Sequence, residues 1–275
     1  MQIEVSGQSV YLYTGGKKLT PDTVDRNKTV VLNKPVVFIH GAQQDHSCWT
    51  LQTRWFAHHG FSVLAPDLPG HGRSGGEPLA SIEAIADWVA ALLDTLGVEK
   101  ADIVGHSMGS LVALEFSVRH PQRVARSVLI GTALPMPVAD VLLNAARDNE
   151  PKAAAMINAW SYSSSGQIGG NTVPGLWLLG VNQRLMARQK RGVFHVDLAA
   201  CNAYQRPLDS LSAITAPTLL IAGSQDKMTS PKVAKAVQAA IPGARLVIVD
   251  GSGHALMAER PDAVLDALIG FLAKT

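Results

Sequence analysis

Short and nearly continuous apolar runs recur along the chain, at residues 35–39, 61–65, 101–104, 127–130, 218–221 and 246–249. Runs this uniform do not alternate as a half-wet strand would, so they predict strands buried on both faces, in a parallel sheet covered by helices. The stretches between them switch to helical spacing. Ser81 is placed to cap a helix whose apolar positions are Ile82, Ile85, Ala86, Val89, Leu92, Leu93 and Leu96, with Gly97 closing it. A second helix follows Ser107, carries Leu111, Val112, Leu114, Phe116 and Val118, and stops before Pro121. Two more fit 232–241 after Pro231 and 262–272 after Pro261. Residues 3–13, with Ser6-Gly7 inside them, predict an antiparallel hairpin at the sheet edge. Strand and helix in alternation mean an α/β fold with a mostly parallel sheet.

The alternation breaks between about 134 and 209, where helical patterns cover 138–147, 152–160 and 176–188 around a loose Ser- and Gly-rich stretch at 163–171. A connection of that length needs structure or a task of its own. It is read as a helical insertion at 134–209, seated on a core domain made of 1–133 and 210–275.

The length of 275 residues allows one large domain, or one domain with an insertion, and 47% hydrophobic residues supply its core without staples. With 24 basic and 22 acidic side chains the net charge is +2, which argues against a dedicated nucleic-acid binder. The pI near 8.6 follows from that small excess alone. Cys48 and Cys201 stand far apart and imply no disulfide framework. Residues 1–12 alternate polar and apolar without a charged start and an apolar stretch, and no run reaches the roughly 18 apolar residues of a membrane span. The expectation is a cytoplasmic protein acting on a small molecule, with neither membrane nor nucleic acid as partner. A homo-oligomer stays open.

Gly105-His106-Ser107-Met108-Gly109 has the form G-x-S-x-G. The pattern is short enough to arise by composition, so its setting decides. It directly follows an expected strand and directly precedes an expected helix, which is the setting of a nucleophile elbow. A serine in so tight a turn has a strained backbone, its flanking residues must be small, and the helix start aims free N–H groups at charge developing nearby. A serine hydroxyl also needs a base and an acid that orients the base. His254, in Gly251-Ser252-Gly253-His254-Ala255, lies past the last expected strand, and Asp226 lies past the one before it. Both therefore fall at strand C-termini, where open α/β sheets hold their sites. Asp250 is too close along the strand to His254, and Asp140 lies inside the insertion.

With these residues in place the sequence resembles the serine hydrolases of the α/β-hydrolase fold over essentially its whole length. His40-Gly41, the stretch Asp67-Leu68-Pro69-Gly70-His71-Gly72-Arg73-Ser74, the elbow, and the acid and histidine loops occur in the family's order. The resemblance implies Ser107 as nucleophile, His254 as general base and Asp226 as orienting acid. It implies an oxyanion hole from the backbone N–H groups of Met108 and Ala42, with Gln43 as the competing donor to Ala42. It makes 134–209 the family's cap, and 67–74 a structural turn in which His71 is not catalytic. The activity it implies is hydrolysis of carboxylic esters or lactones with a largely apolar part. C–C bond hydrolysis of ring-cleavage products ranks second, because its relatives carry Asn where this chain has His106. A receptor with an intact triad and slow turnover is the reading from another class.

The remaining candidates are weaker. His58, His59 and His120 fall on helix ends, and His40 and His46 match no metal spacing. Arg184, Arg188, Lys190 and Arg191 are read as a solvated helix face rather than an anion site. Residues 166–170 do not follow a strand and make no phosphate loop, so neither cofactor nor metal is expected. Met136, Trp160 and Trp177 are the insertion's candidates for a pocket wall over Ser107, drawn from an apolar stock that also includes Met156, Met186 and Phe194.

Overall fold

The computed structural model describes residues 1–19, 32–171 and 175–273. Its strands are β1 Gln2–Val5, β2 Gln8–Tyr13, β3 Pro35–Ile39, β4 Ser62–Pro66, β5 Ala101–His106, β6 Val124–Ile130, β7 Thr218–Gly223 and β8 Arg245–Val249. Its helices are α1 Thr50–His58, α2 Ile82–Thr95, α3 Met108–Arg119, α4 Asp140–Asp148, α5 Glu150–Ser161, α6 Ser164–Gln167, α7 Leu178–Ala187, α8 Val193–Ala203, α9 Pro231–Ala240, α10 Leu256–Glu259 and α11 Pro261–Leu272. The strands form an eight-stranded sheet in the order β1-β2-β4-β3-β5-β6-β7-β8. Only the hairpin β1–β2 and its pairing to β4 are antiparallel. The pattern of runs predicts such an α/β fold with a mostly parallel sheet, and the architecture is the α/β-hydrolase fold that the resemblance implies.

Each central strand divides its side chains between two layers, which is why the runs are continuous. Val37 and Ile39 of β3 join Ile103 and Leu129 in the layer under α2, α3 and α9. Val36 and Phe38 join Val104, Val128 and Ile130 in the layer under α1 and α11. β8 departs from the expectation of burial on both faces. It is the sheet edge, and Val247 and Ile248 remain 37% and 39% exposed. The Ser81 hydroxyl accepts from the Ala84 N–H at 3.1 Å, so α2 begins at the residue its cap dictates.

Helices α4 to α8 form an insertion between β6 and β7, with an apolar centre of its own built from Leu142, Ala145, Ala153, Met186, Phe194 and Leu198. The helix α8 adds to the three helical stretches read from the pattern. The Ser- and Gly-rich stretch is not loose. Ser163 caps α6, and both its N–H, at 2.9 Å, and its hydroxyl, at 2.5 Å, donate to Glu259 of the core. Arg184, Arg188, Lys190 and Arg191 are all exposed, and two of them also reach the core. Arg188 pairs with buried Asp45 at 2.6 Å, and the Lys190 Nζ reaches the carbonyls of Ser74 and Gly76. These cations fasten the insertion to the sheet domain. Among the described residues no helix is long and apolar enough to cross a membrane.

Candidate active site

The strand order reverses at β3 and β5, since β4 lies on one side of β3 and β5 on the other. In-register pairing of Ile39 with Gly105 brings the loop after β3 beside the turn after β5. Crevices at such reversals are where open α/β sheets place ligands.

Ser107 occupies that turn with φ 54° and ψ −119°, a conformation that costs an L-residue about 1–3 kcal/mol. Its N–H donates to the Ile130 carbonyl at 2.9 Å, and α3 starts immediately after it. Close approach fixes the neighbours. A Cβ on Gly105 would overlap the Gly109 carbonyl, and one on Gly109 would sit 2.7 Å from the His40 carbonyl and nearer still to that of Ile39. These obstacles are backbone atoms, which cannot swing aside. Gly109→Ala is therefore expected to lose about 3 kcal/mol of stability, read as a lowered urea midpoint at unchanged slope. A midpoint within error of wild type would mean that α3 can shift away from β3.

Asp226, in the turn after β7, reaches His254 Nδ1 through Oδ2 at 2.8 Å. The same oxygen accepts from the Thr229 hydroxyl at 2.7 Å, and Oδ1 accepts the N–H groups of Met228 and Thr229, each at 2.8 Å. Burial alone would raise this carboxyl. Charge attraction and a hydrogen bond from His254, with the Thr229 donors, outweigh it and hold the carboxyl at about 2. His254 is itself buried, and its Nε2 has no hydrogen-bond partner among the described residues. His106 packs beside it, with ring centroids 4.9 Å apart, and donates from Nε2 to the His254 carbonyl at 2.9 Å. Burial first, and then the nearby His254, press His106 down to about 3, so it stays neutral.

The loop after β3 supplies the opposite wall. Met108 is the first residue of α3, so its N–H has no acceptor within the helix. The Gln43 N–H is taken by Asp197 of the insertion at 2.8 Å, so of the two competing loop donors it is the engaged one. Ser107 and His254 share two cavities. A pocket of about 50 Å³ has Ala42, Phe194 and Leu198 on its wall, and a neighbouring one of about 200 Å³ has Met136, Val138, Leu142 and Trp160. Met136 and Trp160 therefore share a cavity with Ser107, whereas Trp177 is 63% exposed and lines an outer groove of about 950 Å³ that reaches His106 but not Ser107.

His40, His46 and His71 hold the loops around the site. His40 donates from Nδ1 to the Gly41 carbonyl and accepts the Leu68 N–H on Nε2 at 3.1 Å, and burial with His71 nearby lowers it to about 4. His71 bonds the Pro69 carbonyl and Asp197, each at 2.9 Å. Asp45, His46 and Asp67 bring ligand atoms within 4.8 Å of one another. Arg188 covers Asp45, and Asp67 accepts from His46 and from the Arg73 N–H, which makes this group a bonded turn. Asp250 bonds Ser224 on the surface, and exposed Asp140 begins α4. Cys48 and Cys201 are free. Sequence reasoning missed Thr229, whose signal is the Asp-x-x-Thr spacing of a side chain that folds back on its own turn. It also missed Asp197, whose carboxylate accepts the Gln43 N–H.

Comparison with known proteins adds a family to this geometry. Residues 36–267 match the family described as "Alpha/beta hydrolase family". A pimeloyl-[acyl-carrier protein] methyl ester esterase of Neisseria meningitidis is 32% identical over 263 residues, covering 87% of this chain and 90% of that protein. A 2-hydroxy-6-oxononadienedioate/2-hydroxy-6-oxononatrienedioate hydrolase of Paraburkholderia phymatum is 27% identical, covering 96% and 95%. Among solved structures, an N-acyl homoserine lactone degrading enzyme superposes with a TM-score of 0.82 at 27% identity, over 98% of this chain and 100% of the other.

Proposed function

The chain belongs to the alpha/beta hydrolase family, and from that premise we propose that it cleaves carboxylic ester or lactone bonds of small, largely apolar substrates through an acyl-enzyme on Ser107. The observation that carries the reading is the state of His254. Asp226 holds its Nδ1, which leaves Nε2 as a buried, unpaired acceptor in the cavities it shares with Ser107. A neutral imidazole fixed in that tautomer takes a proton from a serine hydroxyl, a role worth roughly 10²–10⁴ in rate.

The Ser107 oxygen adds to the acyl carbon as its proton passes to His254. Negative charge collects on the former carbonyl oxygen, facing the N–H groups of Met108 and Ala42. The C–O bond to the alcohol then breaks, and His254 returns the proton to the departing oxygen. Water adds to the acyl-enzyme by the same route, giving the carboxylic acid and restoring the serine. In a lactone the alcohol stays tethered, and one hydroxy acid leaves.

Pocket size narrows the substrate. The cavity that holds Ser107 with Met136 and Trp160 is small, about 200 Å³, which suits a short acyl group. Turnover of p-nitrophenyl esters from two to ten carbons is expected to peak at about four to six and to fall about tenfold by ten. A flat or rising series would place the acyl chain in the outer groove instead. The named esterase and lactone-degrading relatives support ester and lactone substrates. The relative from Paraburkholderia supports the second reading, C–C bond hydrolysis. Turnover of a ring-cleavage dienone with inert esters and lactones would favour it. Release of one equivalent of p-nitrophenol followed by a stall would favour a receptor.

A further inference from the structure

Asp197 is an acid on the buried face of α8, flanked there by Val193, Phe194, Leu198 and Cys201. An unpaired charge in such a setting is expensive, so its partners explain its presence. One carboxylate oxygen, Oδ2, accepts both the Gln43 N–H at 2.8 Å and the His71 Nε2 at 2.9 Å. The other, Oδ1, has no partner among the described residues. The carboxylate thus ties α8 to two places on the core, the loop after β3 through Gln43 and the turn after β4 through His71.

That loop is a tight turn in which the Gly41 carbonyl accepts the Gln44 N–H at 3.3 Å, with Ala42 and Gln43 at its centre. Gln43 has φ 56°, the left-handed value that the third position of such a turn demands and that glycine normally supplies. A glutamine pays conformational strain there, and once nothing holds the Gln43 N–H the turn can relax as a whole, carrying the Gly41–Ala42 peptide and its Ala42 N–H out of place. The Gln43 side chain donates to the Met186 carbonyl of α7 at 3.2 Å, a second tie from the same residue to the insertion. Phe194 and Leu198, one turn apart on α8, wall the pocket at Ser107. The helix that closes the pocket therefore also sets the loop beneath it.

We propose that Asp197 is a positioning residue for the oxyanion hole: by holding the Gln43 N–H it locks the 41–44 turn so that the Ala42 N–H faces the reacting oxygen. The insertion then does more than shape the pocket, because the hole is complete only while α8 is seated. This rests on the reading of Ser107 as the acyl-transfer nucleophile.

The test is steady-state kinetics on a short-chain p-nitrophenyl ester, with binding of a trifluoromethyl ketone that adds to a serine as the transition state does. Asp197→Ala is expected to lower kcat about 10- to 100-fold and to weaken the ketone by the same factor, with KM within about twofold. Asp197→Asn retains an oxygen for the Gln43 N–H and is expected to recover activity to within about fivefold of wild type. Arg188→Met, which cuts a different tie between insertion and core, is expected to lower Tm while leaving kcat within about twofold. If the alanine variant fails to fold, Asp197→Ser keeps a polar group too short to reach Gln43 and should show the same loss. Unchanged kcat and ketone affinity in a folded Ala or Ser variant overturn the assignment, as does a loss confined to KM. Ser107→Ala run alongside separates the two claims. Activity surviving there sinks the acyl-transfer reading, whereas loss there with an unaffected Asp197 variant sinks only the positioning role.

Discussion

Ser107→Ala is expected to reduce ester turnover roughly 10⁴- to 10⁶-fold while leaving the fold intact, the largest effect of any single change in this chain. The size follows from the lack of a substitute. Ser161 shares the pocket, but its hydroxyl is turned to the Met228 sulfur at 3.4 Å. Cys201 lines the neighbouring cavity, and burial followed by the charge of Asp197 pushes its thiol far above the ordinary range, so it supplies no thiolate. Removing one hydroxyl also relieves nothing in the turn, because the strained backbone at 107 is imposed by the close approach of α3 to β3 and β5 and not by the side chain. The measurement is p-nitrophenol release with circular dichroism on the same sample. A folded variant with more than about a hundredth of wild-type turnover would remove Ser107 from the nucleophile's role.

Asp226→Asn is expected to lower kcat about 10³- to 10⁴-fold with KM nearly unchanged. The amide oxygen can still accept the N–H groups of Met228 and Thr229, so the turn survives. Its NH₂ then faces His254 Nδ1 and donates to it, which moves the ring proton to Nε2, the atom that has to accept from Ser107. The defect is one of tautomer, and it appears in kcat. Acid stability gives a second readout. The folded carboxyl titrates at about 2 against an ordinary value of 3.8, so its ionised form adds stability that is fully present above about pH 4 and is lost as pH falls through 2. The stability difference between wild type and the Asn variant should therefore shrink across that window. A variant with normal kcat, or a difference independent of pH between 4 and 2, would show that Asp226 does not act through its charge on His254.

The strands were readable because each central one is buried on both faces, which leaves an unbroken apolar run as its trace. The elbow was readable because G-x-S-x-G is a steric demand written into the residues themselves. Helix α8 was harder. Its buried positions at 193, 194, 197, 198, 200 and 201 leave little polar face for a period to register, and Asp197 interrupts the apolar side. The stretch after Ser163 has the composition of a loop and is ordered by Glu259, a partner 96 residues further on that no local pattern reveals. Trp177 marks the same limit from another side. Helical spacing gives the face on which a residue lies, but which of two cavities that face meets is decided by how α7 sits over the core. An acid among apolar neighbours on a helix is nonetheless a legible sign that a donor waits opposite, and Asp197 carried that sign.

The two hydrogen bonds of Asp197, to Gln43 and to His71, also couple distant parts of the chain. Positions 43, 71 and 197 lie on a loop, a turn and an inserted helix, and the side chains at 71 and 197 depend on each other, whereas position 43 contributes a backbone N–H that any residue but proline supplies. An insertion that lacked this acid would leave the Gln43 N–H and the His71 ring without their acceptor, so the sheet domain is built around one particular helix of the insertion.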